Sequence, residues 1–143
     1  MSNELLFGSP ECDIHFNPEL NVIQTRWKGI YVEGDRLRTI FNEIILALEK
    51  KKVSTIVADA REMHIISYKD QQWTINDWYP RAVKAGFRHQ ALILNTDSFN
   101  EITVKQIAQQ YDEATVTTQY FSSPEDALTW ARYMRNLEFP PFK

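Results

Sequence analysis

The 143-residue sequence contains one cysteine, Cys12, so it can form no internal disulfide and nothing in it points to an oxidising compartment. Glycine is scarce as well. The four glycines are too far apart for a Gly-x-Gly-x-x-Gly dinucleotide loop, and neither a P-loop nor an EF-hand spacing occurs. An excess of charge of one sign is also missing. Sixteen Lys+Arg against nineteen Asp+Glu give a net charge of -3, and the scattered basic residues leave no footprint for nucleic acid or an anionic membrane. No stretch approaches the roughly 20 apolar residues of a membrane span. Met1-Ser2-Asn3-Glu4 opens no signal-peptide core, so a cytoplasmic chain without an integral membrane segment is expected. What is present suits one folded domain over 1–143: 43% hydrophobic and 24% charged residues, enough for a packed core and too apolar for disorder.

Two alternating runs come first, around Ile14 and Phe16 and then Ile23, Thr25 and Trp27, with Asn17-Pro18-Glu19-Leu20-Asn21 as a turn between them. From about Asp35 to Lys51, Leu37, Ile40, Phe41, Ile44, Ile45 and Leu48 recur at spacings of three and four, one stripe of an amphipathic helix. The Lys50-Lys51-Lys52 run at its end is what the helix dipole favours. Thr55-Ile56-Val57-Ala58 and Ala91-Leu92-Ile93-Leu94 are unbroken apolar runs, the mark of interior parallel strands. Thr115 to Phe121 alternates like a strand nearer an edge. Three more helices are predicted. One is capped by Ser67 and carries Ile75, Trp78, Tyr79, Ala82 and Val83, with a break at Pro80. A second carries Val104, Ile107, Ala108 and Tyr111, and a third opens on Ser123-Pro124. The expected plan is α/β, β-β-α-β-α-β-α-β-α, a mostly parallel five-stranded sheet whose first strand is antiparallel, with residues 1–10 and the Phe139-Pro140-Pro141-Phe142 tail outside it.

In such sheets ligands bind beyond the carboxyl ends of the strands. The loop after the Thr55–Ala58 strand is the richest there, with Asp59, Arg61, Glu62, His64 and Ser67 within nine residues, while Asn95 stands after the next strand. Ser67 and His64 have the residue types of a nucleophile and base, but no Gly-x-Ser-x-Gly elbow surrounds a serine, and capping by Ser67 with an Asp59–Arg61 pair is the simpler reading. Cys12 and His15 have half the spacing of a zinc site, yet in a strand they face opposite sides, so no metal and no cofactor is expected. Trp27, Trp78 and Trp130 fit the core. Trp73, one turn into its helix, is placed with Trp78, Tyr79, Met63 and Ile66 to line an apolar pocket or partner patch.

A series of short strings then accumulates in order: Trp27-Lys28-Gly29, Asp59-Ala60-Arg61, Gln72-Trp73, Trp78-Tyr79-Pro80, Ala85-Gly86, Tyr120-Phe121 and Ser123-Pro124-Glu125-Asp126-Ala127 with Trp130. With the element plan they resemble the small bacterial SpoIIAA-like proteins of the STAS/Sec14 superfamily over roughly 13–135. The resemblance implies right-handed βα units and a fold shared with anti-sigma-factor antagonists, STAS domains of anion transporters and Sec14-type lipid-binding proteins. It implies no common enzymatic reaction. In the antagonists a serine at the start of the helix after the third strand is phosphorylated to control partner binding. The corresponding residue here is Ser67, within Ile66-Ser67-Tyr68-Lys69 rather than the family's Asp-Ser-x-Gly.

The sequence therefore leads to a non-catalytic binding or regulatory module that engages a protein partner through the 59–73 region. The alternative is a Sec14-like carrier of a lipid or small apolar ligand, and an enzyme built on Asp59, Arg61, His64 and Ser67 ranks third. The sheet edge, the Leu5-Leu6-Phe7 arm and the Phe139-Pro140-Pro141-Phe142 tail are each open to a symmetric contact, so a homodimer is included among the expected assemblies.

Overall fold

The computed structural model describes residues 2–95 and 99–138, and in it six strands form one mixed sheet in sequential order. β1 (Glu4–Gly8), β2 (Cys12–Asn17) and β3 (Val22–Trp27) pair antiparallel, and β4 (Thr55–Asp59), β5 (His89–Ile93) and β6 (Thr117–Phe121) follow β3 in parallel. Between β3 and β4 runs α1 (Gly34–Lys51). Between β4 and β5 lie α2 (Tyr68–Trp73), a π-helical turn (Thr74–Trp78) and α3 (Tyr79–Lys84). α4 (Phe99–Ala108) joins β5 to β6, and α5 (Pro124–Glu138) follows.

The α/β plan holds, with one strand more than expected. The Ile14–Phe16 strand, β2, does run against the others, and the pairings β3–β4, β4–β5 and β5–β6 are parallel, but the five strands are corrected to six. The addition is β1. Leu5-Leu6-Phe7 shows no alternation because the register shifts between Leu5 and Phe7, and such a bulge lets the neighbours Leu6 and Phe7 both pack on the core while Leu5 stays exposed. The Phe139-Pro140-Pro141-Phe142 tail lies outside the described residues.

Two clusters sandwich the sheet. On one face Ile23, Ile56 and Leu92 meet Leu37, Ile44 and Leu48 of α1, Trp78 and Ala82 near α3, and Val104 and Ile107 of α4. On the other, Val22, Val57, Ala91 and Ile93 meet Ala127 and Ala131 of α5. That β4 and β5 are covered on both sides explains their unbroken apolar sequence. β5 nonetheless begins two residues earlier than its apolar run, at His89-Gln90, and Gln90 is buried on the helical side.

The break expected at Pro80 takes a specific form. Pro80 has no N–H to give to the carbonyl four residues back, and its ring crowds that carbonyl. The turn before it widens, so that Tyr79 N–H donates to Thr74 O, five residues away, and the chain stays helical into α3. Trp78 is thereby buried, its Nε1–H donating to Phe41 O at 2.7 Å.

Candidate functional site

β3 and β4 are parallel neighbours, so the loops that leave them, 28–33 and 60–67, emerge side by side at one edge of the sheet. The turn between β1 and β2 reaches the same end, where Lys28 N–H donates to Glu11 O. Each loop is held by side chains that the sequence placed there for chemistry.

Asp59 and Arg61 form the expected pair. Arg61 Nε and Nη2 donate to the two carboxylate oxygens at 2.9 and 2.7 Å, and Arg61 N–H adds a third bond to Oδ1. The Asp59 carboxylate beside it raises the Arg61 guanidinium further above its ordinary value. Asn95 Nδ2 donates to Arg61 O, and Ala60 N–H to Ile93 O, so the loop is tied to the end of β5. His64 donates through Nε2 to Gly29 O at 2.8 Å, joining the two loops, and its ring meets Tyr31 edge-on at 6.3 Å.

Ser67 has a different partner. Its hydroxyl donates to Asp70 Oδ2 at 2.9 Å and accepts from Asp70 N–H, which is the cap of α2. His64 and Ser67 thus spend their hydrogen bonds in opposite directions, on Gly29 and on Asp70. Asp70 itself is only 2% exposed and also accepts from Gly34 N–H at 3.0 Å, with Arg38 Nε 3.8 Å from Oδ1. A carboxylate is a natural ligand for the free N–H groups that begin α1, whose N-cap, Glu33, accepts from the Tyr31 hydroxyl instead of capping the helix. The bond between Asp70 and Ser67, three residues apart, is local. The reach of Asp70 to α1, 36 residues earlier, has no local signal.

Trp73, Trp78 and Tyr79 separate. Trp73 is half-buried against Phe41, with the guanidinium groups of Arg38 and Arg81 at 5.2 and 5.8 Å from its ring. Tyr79 stacks on Tyr111 at 4.1 Å, nearly parallel. Trp78 does line a cavity, together with Met63 and Ile66, while Trp73 and Tyr79 do not.

The apolar surface at this edge comes from four residues not singled out in the sequence. Ile30, Tyr31, Ile65 and Tyr68 are 48%, 50%, 51% and 75% exposed, two from each of the joined segments. Ile30, Tyr31 and Ile65 lie in loops and Tyr68 opens α2, places that carry no periodic pattern, and only the pairing of β3 with β4 sets their two segments side by side.

Among the described residues no group of three His, Cys, Asp or Glu side chains is arranged to hold a metal ion. Cys12 is fully buried on the core side of β2, where burial pushes its thiol up to about 12. Among the described residues no helix is long and apolar enough to cross a membrane. The chain matches no family model, and no curated protein or solved structure matches it.

Proposed function

We propose that the protein is a non-catalytic binding module of SpoIIAA-like architecture that engages a protein partner at the carboxyl edge of β3 and β4. The observation that carries this reading is the set of Ile30, Tyr31, Ile65 and Tyr68, exposed on two segments that the His64–Gly29 and Asp70–Gly34 hydrogen bonds lock together. Exposed aromatic and aliphatic side chains held on an ordered frame lose little entropy on docking, and tyrosine is favoured where a ring is buried and its hydroxyl stays wet. Polar Glu33, Glu62 and Lys69 lie around them in the chain, as at the rim of an interface. The Sec14-like alternative asks for an apolar cavity of about 300 Å³ or more for its ligand. The apolar hollow lined by Met63, Ile66 and Trp78 holds about 60 Å³. The larger one beside Leu20, about 460 Å³, carries the charged side chains Glu49, Lys52 and Arg135 in its wall.

Regulation at Ser67 belongs to the same proposal. A phosphate there would lose the hydroxyl's bond to Asp70 and press its charge against that buried carboxylate, so modification would loosen the frame rather than decorate it. The test is site-specific photocrosslinking in the protein's own cells, with a photoreactive residue at position 68 or at exposed Tyr133 on α5. The proposal expects one discrete protein adduct from position 68 and not from 133. Equal adducts from both, or none from 68, would overturn it.

A further inference from the structure

The cavity between the sheet and the helical layer has a lining that follows from two local departures from regular structure. The π-helical turn contributes Thr74 and Trp78, its first and last residues, and the polar start of β5 contributes Gln90. Around them stand Ile56, Leu92 and Ile107 among other apolar side chains, and no lining residue carries a charge at neutral pH. Gln90 is only 9% exposed, and its Oε1 accepts no hydrogen bond from the described residues. An unpaired buried acceptor costs about 1–3 kcal/mol, so a chain that keeps it there gains by filling it.

A buried water needs about three polar partners. The Thr74 hydroxyl donates to Asp70 O at 2.8 Å and can there only accept, and Thr25, Gln90, Trp27 and Tyr111 supply the other polar side-chain atoms of a wall that is otherwise apolar, so a molecule with its own apolar body uses more of the lining than water does. Apolar cavities of about 150 Å³ stay dry and take up benzene, so the volume here of about 60 Å³ suits a molecule of roughly two to four non-hydrogen atoms. The absence of lining charge requires that molecule to be neutral.

We propose that this cavity is a binding site for a small uncharged molecule with an apolar body and one O–H or N–H donor, such as a short-chain alcohol, whose donor is received by Gln90 Oε1. The proposal is independent of the partner surface at the loops. It is tested on the full chain with ethanol and its donor-free isomer dimethyl ether, followed by methyl-resolved NMR. Ethanol is expected to give saturable shifts and intermolecular NOEs at the methyls of Ile56, Leu92, Val104 and Ile107. Dimethyl ether should bind about tenfold more weakly, the worth of one neutral hydrogen bond. Gln90→Leu should erase that difference, and Ala108→Leu, which fills the space, should abolish binding of both. If Ala108→Leu does not fold, the ethanol-to-ether ratio in Gln90→Leu decides alone. Shifts that never saturate, equal binding of alcohol and ether in the parent chain, or a long-lived water on Gln90 that ethanol does not displace would each overturn the proposal.

Discussion

Replacing Asp70 by Ala removes an acceptor from a place that water does not reach, leaving the Ser67 hydroxyl and Gly34 N–H unpaired and Arg38 without its nearest carboxylate. The expected cost is about 2–4 kcal/mol, read as a melting temperature lower by roughly 5–12 °C. A shift within experimental error would show that the carboxylate does not tie α2 to α1. Glu11 gives a pH-dependent counterpart. It is buried and paired with Arg36, and that hydrogen bond holds its carboxyl below the usual glutamate value. The folded chain therefore binds fewer protons there than the unfolded chain. The stabilisation is fully present above the ordinary value of about 4.3 and is lost as pH falls through the folded value. Urea midpoints of the parent and Glu11→Gln should differ near pH 6 and converge as the pH falls below about 4. Cys12 should react with a thiol reagent at pH 8 only as the chain unfolds, since its thiol is buried and mostly protonated at that pH. Residues of this kind were half legible. Ser67 as a cap and Asp59–Arg61 as a pair are local chemistry within three residues. The Asp70–Gly34 and His64–Gly29 bonds depend on which loops the sheet sets side by side.

Helices and strands repeat the same division. α1 was readable over nearly its full length because its stripe and terminal charges are periodic. Its end is less regular. Lys52 sits at φ 54° and ψ 50°, a left-handed conformation that costs a side-chain-bearing residue about 1 kcal/mol and glycine much less. Lys52→Gly is therefore expected to raise stability by about 0.5–1 kcal/mol in urea unfolding, and a loss would mean that the lysine side chain makes a compensating contact. β1 was hidden by its bulge, and the start of β5 by polar His89 and Gln90, whose burial is decided by α5 and by the cavity rather than by alternation. The consequence of Pro80 was foreseen as a break. That it resolves as a five-residue-spaced turn depends on Thr74 and Trp78 finding buried places on the helical face.

On the scale of the whole molecule, sequential strand order places one set of loops at the carboxyl edge of β3 to β6 and leaves the proposed docking residues there. The second face of the sheet is covered by α5 only over its parallel part. Over β2 and β3 it carries Asp13, His15, Gln24 and Arg26, a polar surface that fits the alternation read from those strands. Composition and periodicity could establish the α/β class because it is a property of averages. That Ile30, Tyr31, Ile65 and Tyr68 stand exposed on adjoining segments follows from which strands pair. Ile65→Glu with Tyr68→Glu should leave the melting temperature within about 2 °C, since both side chains are exposed, while removing the adduct or complex formed at that edge. The most direct measurement is hydrogen exchange of the chain isolated with its bound protein, compared with the chain alone. Added protection is expected in 29–33 and 62–69, and the double variant should lose it. Protection centred on α5 or on the β1 edge, with the loops unchanged, would contradict it.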